Sequence, residues 1–322
     1  MPIARHRVEG VSRSAQTLQD LSLSRATLDR AAWRRKDPNL LPGLVSDPST
    51  RVVEVVGGSV EVVGQDGEVA LHLRSPRAED LQRLAVFLGV DEAGTAYLAV
   101  EGEAVDEGDP RDWRTLREVG VLLGDRDAGL FTTALALTNW HAAHTHCPRC
   151  GSPTAPAQAG WVRRCGADGS EHYPRTDPAV IMSVTDADDR LLLARGPQWP
   201  EGRFSVLAGF VEPGESLEAA VAREVCEEVG VEVTDVTYLG NQPWPFPSSL
   251  MVGFTARACD PTIDLDRDEI AEAFWVTREE LRQRLDDGRI VISSRMSIAF
   301  RLMEHWYGEH LPTTGEWRPA RG

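Results

Sequence analysis

With 322 residues, 42% of them hydrophobic and 26% charged, the chain has an ordinary globular composition and the length for two or three domains. Its net charge of −16 argues against a broad duplex-binding face, which needs clustered Lys and Arg, but leaves room for a small anionic substrate neutralised locally by metal. No stretch approaches a membrane span, the start MPIARHRVEGVSRS has no apolar run of signal-peptide length, and Cys147, Cys150, Cys165, Cys226 and Cys259 make no disulfide framework, so a reducing cytoplasm is expected.

Residues 1–140 read as an α+β domain. SRATLDRAAWRRKDPNLL looks helical through Ala32, with Asp37-Pro38 as the breaker. RVVEVV, SVEVV, EVALHLR, LAVFLGV and AYLAV follow, parted by Gly57-Gly58 and Gln65-Asp66-Gly67, and suggest antiparallel strands. Residues 101–113 form an acidic loop, and the apolar spacing from Arg117 through His144 fits one helix. This region declares no chemistry of its own and reads as a structural or dimerising domain.

Residues 141–176 open on Cys147-Pro148-Arg149-Cys150-Gly151, a thiolate knuckle, and bring Cys165 about 15 residues later, which is zinc-ribbon spacing. The second knuckle lacks a cysteine: Asp168 stands where one is expected. A structural zinc wants four ligands, so the fourth is taken as His172 ahead of Asp168, with His144 and His146 as further candidates.

Residues 177–322 form the last domain. AVIMSV and RLLLAR pair through a turn at Asp186–Asp189, and FSVLAGFV is another strand. Ser216 is placed as N-cap of a helix over Leu217–Val229 with Gly230 as its C′ residue. Its stripe Leu217, Val221, Val225 and Val229 faces the core, and Glu224, Glu227 and Glu228 share the adjoining face at i, i+3 and i+4. Three carboxylates so close repel unless a cation joins them, and Mg²⁺ or Mn²⁺ with oxygen ligands is the natural choice. Strands VTYLG, LMVGFTAR and AFWV follow, then two helical stretches, the second being SIAFRLMEHWYGEH.

Gly209, Glu215, Arg223, Glu224, Val225, Glu227, Glu228, Gly230 and Val231 match every fixed position of the Nudix box, G-x5-E-x7-R-E-U-x-E-E-x-G-U. Gln242-Pro243-Trp244-Pro245-Phe246-Pro247-Ser248-Ser249 resembles the SQPWPFPxS element of the NADH pyrophosphatase subfamily, with Asn241 in place of its leading Ser. The resemblance implies an α/β fold: a Nudix αβα sandwich with a mixed sheet, preceded by a zinc ribbon and an α+β N-terminal domain. It implies hydrolysis of NADH or NAD⁺ to nicotinamide mononucleotide and AMP, removal of NAD caps from RNA, and a homodimer. The other readings are hydrolysis of ADP-ribose or another dinucleotide, and a non-catalytic nucleotide sensor.

Carried over by resemblance, Glu224, Glu228 and Glu269 and the backbone carbonyl of Ala208 hold catalytic Mg²⁺ or Mn²⁺, with Glu227 as a further ligand or supporting group. Either Glu228 or Glu269 serves as base. Tyr173 and Phe210 stack on the dinucleotide, while Gln242 to Ser249, Ala299 and Arg117 contact substrate. A structural zinc sits in the ribbon.

Overall fold

The computed structural model describes residues 18–64, 68–106 and 108–312. The N-terminal stretch MPIARHRVEGVSRS and the turn Gln65-Asp66-Gly67 lie outside the described residues. The chain divides into two compact units. One holds residues 23–176 and 243–248; the other holds 177–242 and 249–312 together with 18–22.

In the first unit α1 (Leu40–Ser46) precedes β1 (Arg51–Val56), β2 (Ser59–Val63), β3 (Ala70–Leu71), β4 (Ala85–Val90), β5 (Ala96–Glu101) and β6 (Asp112–Thr115). These strands make one sheet in the order β3-β2-β1-β5-β4, with β6 also on β2. Alternation along the strands sends Val52, Phe87, Leu98 and Val100 towards α1, where they cluster with Leu40 and Leu44. The sheet is mixed, because β1 and β5 run parallel over Arg51↔Tyr97 to Val55↔Glu101, so the expectation of antiparallel pairing alone fails there.

Two helix expectations are also corrected. Residues 24–31 form no helix: the backbone of Asp29 bridges Val90, the Asp29 carboxylate takes the Ala31 N–H, and Ala31 has a φ of 40°. Only a 3-10 turn, Ala32–Arg34, remains. The single helix expected over 117–144 is broken into α2 (Leu116–Val119) and α3 (Asp125–Ala143), parted by a turn that ends at Gly124. Helix α3 packs on β1 and β4.

The ribbon follows as β7 (Thr154–Ala157), β8 (Val162–Cys165) and β9 (Glu171–His172), an antiparallel three-stranded sheet. Arg163 on β8 is buried, with Nε donating to Thr154 Oγ1 at 2.7 Å and Nη1 donating to His141 Nδ1 on α3 at 2.9 Å. A buried guanidinium so fully bonded fixes the ribbon strands to α3.

The second unit contains β10 (Asp177–Thr185), β11 (Leu191–Arg195), β12 (Leu207–Phe210), α4 (Leu217–Val229), β13 (Val233–Trp244), β14 (Ser249–Ala258), β15 (Glu272–Val276), α5 (Arg278–Asp286) and α6 (Ile298–Tyr307). Its sheet runs β13-β14-β10-β11-β15, with β12 also on β10. Strands β10 and β14 are parallel over nine pairs, and β10 meets β11 and β12 antiparallel. Residues of period two divide between the faces. Val180, Met182, Val184, Leu192 and Ala194 pack with Val221, Val225 and Val229 of α4. Ile181, Leu191 and Leu193 pack with Leu281 and Leu285 of α5 and with Ile298, Leu302 and Met303 of α6. Helix, sheet and helices thus form an αβα sandwich.

Candidate active site and ribbon metal centre

Helix α4 begins where the Ser216 hydroxyl accepts the Ala219 N–H at 3.2 Å and ends at Gly230, whose φ of 70° suits the C′ position. Packing of Val221, Val225 and Val229 fixes its rotation, which leaves Glu224 and Glu228 at the margin of the core, each 9% exposed. Glu227 points further out, with its side chain 59% exposed.

Arg223 organises this face. Its Nε donates to Glu215 Oε1 at 2.6 Å, Nη1 donates to Glu224 Oε1 at 2.9 Å and Glu227 Oε2 at 2.8 Å, and Nη2 reaches the Phe210 carbonyl at 2.9 Å. One planar fork therefore ties the end of β12 to the start and middle of α4. Glu215 also accepts the Glu212 N–H, and the Arg223 hydrogen bonds hold its carboxyl at about 2. The sequence marks Arg223 and Glu215 only as matches to the box; their bracing role needs the fold.

Glu228 differs from its neighbours. Its Oε2 is buried without a hydrogen-bond partner. Burial first, then the charges of Glu224, Glu269 and Glu227, push its carboxyl up to about 8. Burial also raises Glu224, against the pull of Arg223. Glu269 is exposed, on a segment clamped to the end of α4 by Asp264 N–H to Val229 O at 2.9 Å and Asp266 N–H to Glu228 O at 3.1 Å. The glutamate oxygens are not gathered as tightly as the ribbon ligands described below, yet each charge is near enough to disfavour ionisation of Glu228.

Ala208 on β12 is exposed and pairs with Ile181. A Cβ added to the next residue, Gly209, would lie 1.9 Å from Cδ of Glu224. Glycine here is a space that the Glu224 carboxylate fills, bringing it against the β12 backbone.

These features fit divalent metal by their donor chemistry: a buried orphan carboxylate oxygen, further carboxylates beside it, and a cradle only glycine permits.

The loop Pro243–Ser248 folds with the first unit. The Arg117 guanidinium of α2 lies 3.8 Å from the centroid of the Phe246 ring and 5.1 Å from that of Trp244. These two rings meet edge-on at 5.0 Å, and Asn139 of α3 donates to the Pro245 carbonyl at 3.1 Å. The Phe246–Pro247 bond is cis. Arg117 therefore touches the loop expected to line substrate; Asn139 was not foreseen, and no spacing in the sequence marks it. Tyr173 is 64% exposed and Phe210 59%, both free to offer a ring face, whereas Pro245 is buried.

Two further residues expected to line substrate are buried like Pro245. Gln242 is wholly inaccessible, its Nε2 donating to the Met296 carbonyl at 2.8 Å, and Ala299 lies in the core at the start of α6. Helix α6 presents its apolar stripe to the sheet, so these side chains brace the wall. Ser249 opens β14 against Asp177.

In the ribbon, one ligand atom from each of Cys147, Cys150, Cys165 and Asp168 lies within 4.8 Å of the others. Asp168 is the fourth member. His172 is turned to Ser170, with Nε2 3.1 Å from its hydroxyl, and so falls outside the group despite the preference given it from sequence. The reason is a repeated knuckle. Gly151 N–H reaches Cys147 O and Cys147 N–H reaches Ser152 O; Gly169 N–H reaches Cys165 O and Cys165 N–H reaches Ser170 O. Gly151 and Gly169 have φ of 74° and 70°. CPRCGS and CGADGS are thus one pattern, with Asp168 where Cys150 stands in the first copy, a signal the sequence did carry. The Ser170 hydroxyl also draws Cys147 down to about 6 and holds the Asp168 carboxyl well below its usual range. Three thiols and a carboxylate suit zinc. Cys226 and Cys259 stand apart and are exposed.

Comparison with known proteins agrees with this construction. The Nudix domain matches residues 175–295, the NADH pyrophosphatase zinc ribbon domain 142–173, and the NADH pyrophosphatase-like rudimentary Nudix domain 49–140. The NAD-capped RNA hydrolase NudC of Mycobacterium bovis (strain BCG / Pasteur 1173P2) is 41% identical over 296 residues, 88% of this chain and 94% of that protein. The NAD-capped RNA hydrolase NUDT12 of Homo sapiens is 40% identical over 196 residues, 57% of this chain and 42% of that protein. Among solved structures, a Nudix hydrolase from Nitrosomonas europaea aligns with a TM-score of 0.41 at 20% identity, over 52% of this chain and 94% of that one. With its catalytic box, ribbon and rudimentary N-terminal domain in this order, the chain belongs to the Nudix hydrolases of the NADH pyrophosphatase type.

Proposed function

We propose that this protein is a divalent-metal-dependent pyrophosphohydrolase that splits NADH and NAD⁺ into nicotinamide mononucleotide and AMP and removes NAD caps from RNA 5′ ends. The observation that carries the reading is the buried, unpartnered Oε2 of Glu228 among Glu224, Glu227 and Glu269 on a Nudix helix. Family membership supports the substrate class, since the mycobacterial relatives are named NAD-capped RNA hydrolases.

Glu224, Glu228, Glu269 and the Ala208 carbonyl would hold Mg²⁺ or Mn²⁺. When bound, such ions supply the positive charge that polarises a phosphoryl oxygen and favours hydroxide over water. The protein's part is to hold the carboxylates. Arg223 braces Glu224 and Glu227, and Gly209 leaves the room Glu224 needs. Because Glu224 and Glu227 each share a proton donor on Arg223, the acceptor for the attacking water's proton is Glu228 or Glu269. Tyr173 and Phe210 each offer an exposed ring for stacking on a base, and Arg117 steadies Trp244 and Phe246 in the substrate loop. Cys147, Cys150, Cys165 and Asp168 would hold one structural zinc. We divide the chain into an N-terminal domain 1–140, a ribbon 141–176 and a catalytic domain 177–322, and take the protein to be a cytoplasmic homodimer.

Incubation with NADH, NAD-capped RNA and ADP-ribose in Mg²⁺ or Mn²⁺ tests the reading. Cleavage of the first two is expected. Cleavage of ADP-ribose alone makes it a different Nudix hydrolase, and binding without cleavage makes it a sensor.

A further inference from the structure

The segment before α1 carries Arg30, Trp33, Arg34, Arg35 and Lys36 around the 3-10 turn Ala32–Arg34. Trp33 is 81% exposed. The Arg35 guanidinium lies 3.6 Å from the centroid of the Trp161 ring and that of Arg30 5.4 Å from the same ring, while Arg34 sits 5.3 Å from the centroid of Phe87. Among the described residues none of these four cations makes an ion pair. The flanking acids are engaged with backbone: Asp29 accepts the Ala31 N–H at 2.8 Å and Asp37 the Asn39 N–H at 2.9 Å. Arg35 Nε is buried without a partner, and burial followed by the Arg30 charge brings this guanidinium down to about 10. In a chain of net charge −16, four cations are crowded within seven residues and, among the described residues, none is ion-paired.

The patch also has a place. Trp161 immediately precedes β8 and Tyr173 immediately follows β9, and these strands are antiparallel with Arg163 opposite His172. Trp161, under its guanidinium groups, therefore leaves the same end of the hairpin as Tyr173. We propose that Arg30, Trp33, Arg34, Arg35 and Lys36 dock the single-stranded RNA that trails from an NAD cap, with Trp33 stacking a base and the cations on phosphates. The inference rests on the decapping reading above. An exposed indole among cations matches both parts of single-stranded RNA, its π-faces and its backbone. An acidic peptide would leave the indole without a partner, and a three-residue turn offers no amphipathic face to a membrane.

The test uses Trp33→Ala with Lys36→Glu, exposed side chains outside the catalytic and dinucleotide-binding set. The kcat/KM for an NAD-capped RNA, the kcat/KM for NADH and the anisotropy of a labelled 5′-hydroxyl RNA of the same sequence are compared with the parent. Both RNA quantities fall about tenfold, NADH turnover is unchanged, and the salt dependence of RNA binding loses about one unit of log–log slope. Parent-like RNA affinity in the variant, or an equal fall for NADH and NAD-capped RNA, overturns the proposal. A parent that cleaves neither substrate sinks the decapping reading instead, and the anisotropy arm still decides the patch.

Discussion

Glu228 shows how much one side chain can carry in this fold. Its raised pKa has a definite sign in stability. Below about pH 4.5 the carboxyl is protonated in folded and unfolded chain alike. Between there and about 8 the unfolded chain ionises while the folded one keeps its proton, so metal-free stability falls as pH rises, by an amount on the order of a few kcal/mol. Glu228→Gln removes that titration. The metal-free variant is expected to melt at least a few degrees above the parent at pH 8 and to lose the slope of Tm against pH in this window, while turnover disappears. Differential scanning calorimetry from pH 5 to 9 reads the first effect; retained activity in a well-folded variant would remove Glu228 from the site. Gly209 tests the same arrangement from the other side. The Cβ of Gly209→Ala must displace the Glu224 carboxylate, and kcat is expected to drop on the order of a hundredfold with little change in melting. The glutamate face was legible from the spacing of Glu224, Glu227 and Glu228 alone. The bracing by Arg223 was not, because it joins residues from β12 to mid-α4 that only the folded turn brings together.

At the level of elements, what the sequence reveals follows from where the determining contacts lie. Helix α4 is self-declaring: its N-cap, apolar stripe and terminal glycine are all local signals, and each stands where expected. The stretch 24–31 has equally good helical spacing but gives its backbone to Val90, a partner 61 residues beyond Asp29 that no local pattern reveals. The ribbon lies between these cases. Its second knuckle repeats the first in backbone hydrogen bonds, so Asp168 inherits the position of Cys150, while His172 on β9 faces Ser170. Asp168→Ala is accordingly expected to purify with little zinc and His172→Ala with about one per chain, measured by elemental analysis. Asp168→Cys should hold zinc more firmly against a chelator, since a thiolate replaces a harder oxygen. Equal zinc loss in the two alanine variants would return His172 to the ligand set.

Across the whole molecule, the proposed function draws catalytic power and selectivity from different stretches of chain. Helix α4 and its carboxylates belong to the unit built on 177–242 and 249–312, whereas the loop 243–248, though flanked by β13 and β14, folds with residues 23–176. The chain therefore leaves the catalytic unit for six residues, and Arg117 and Asn139 hold them by stacking and by one hydrogen bond. On the proposed function, an N-terminal region without a chemical motif of its own supplies the contacts that shape the substrate loop. Arg117→Ala removes a cation–π contact worth roughly 1–2 kcal/mol and frees Trp244 and Phe246, so kcat/KM for NADH is expected to fall about tenfold or more. Arg117→Lys should recover only part of this, because an ammonium cannot lie flat on both rings. Mn²⁺ affinity, measured by calorimetry, should stay at the parent value in both variants, since the carboxylates proposed to hold the metal lie on other elements. A fall in Mn²⁺ affinity equal to the fall in kcat/KM would mean that Arg117 acts on the metal site, and the division of labour between loop and helix would have to be abandoned.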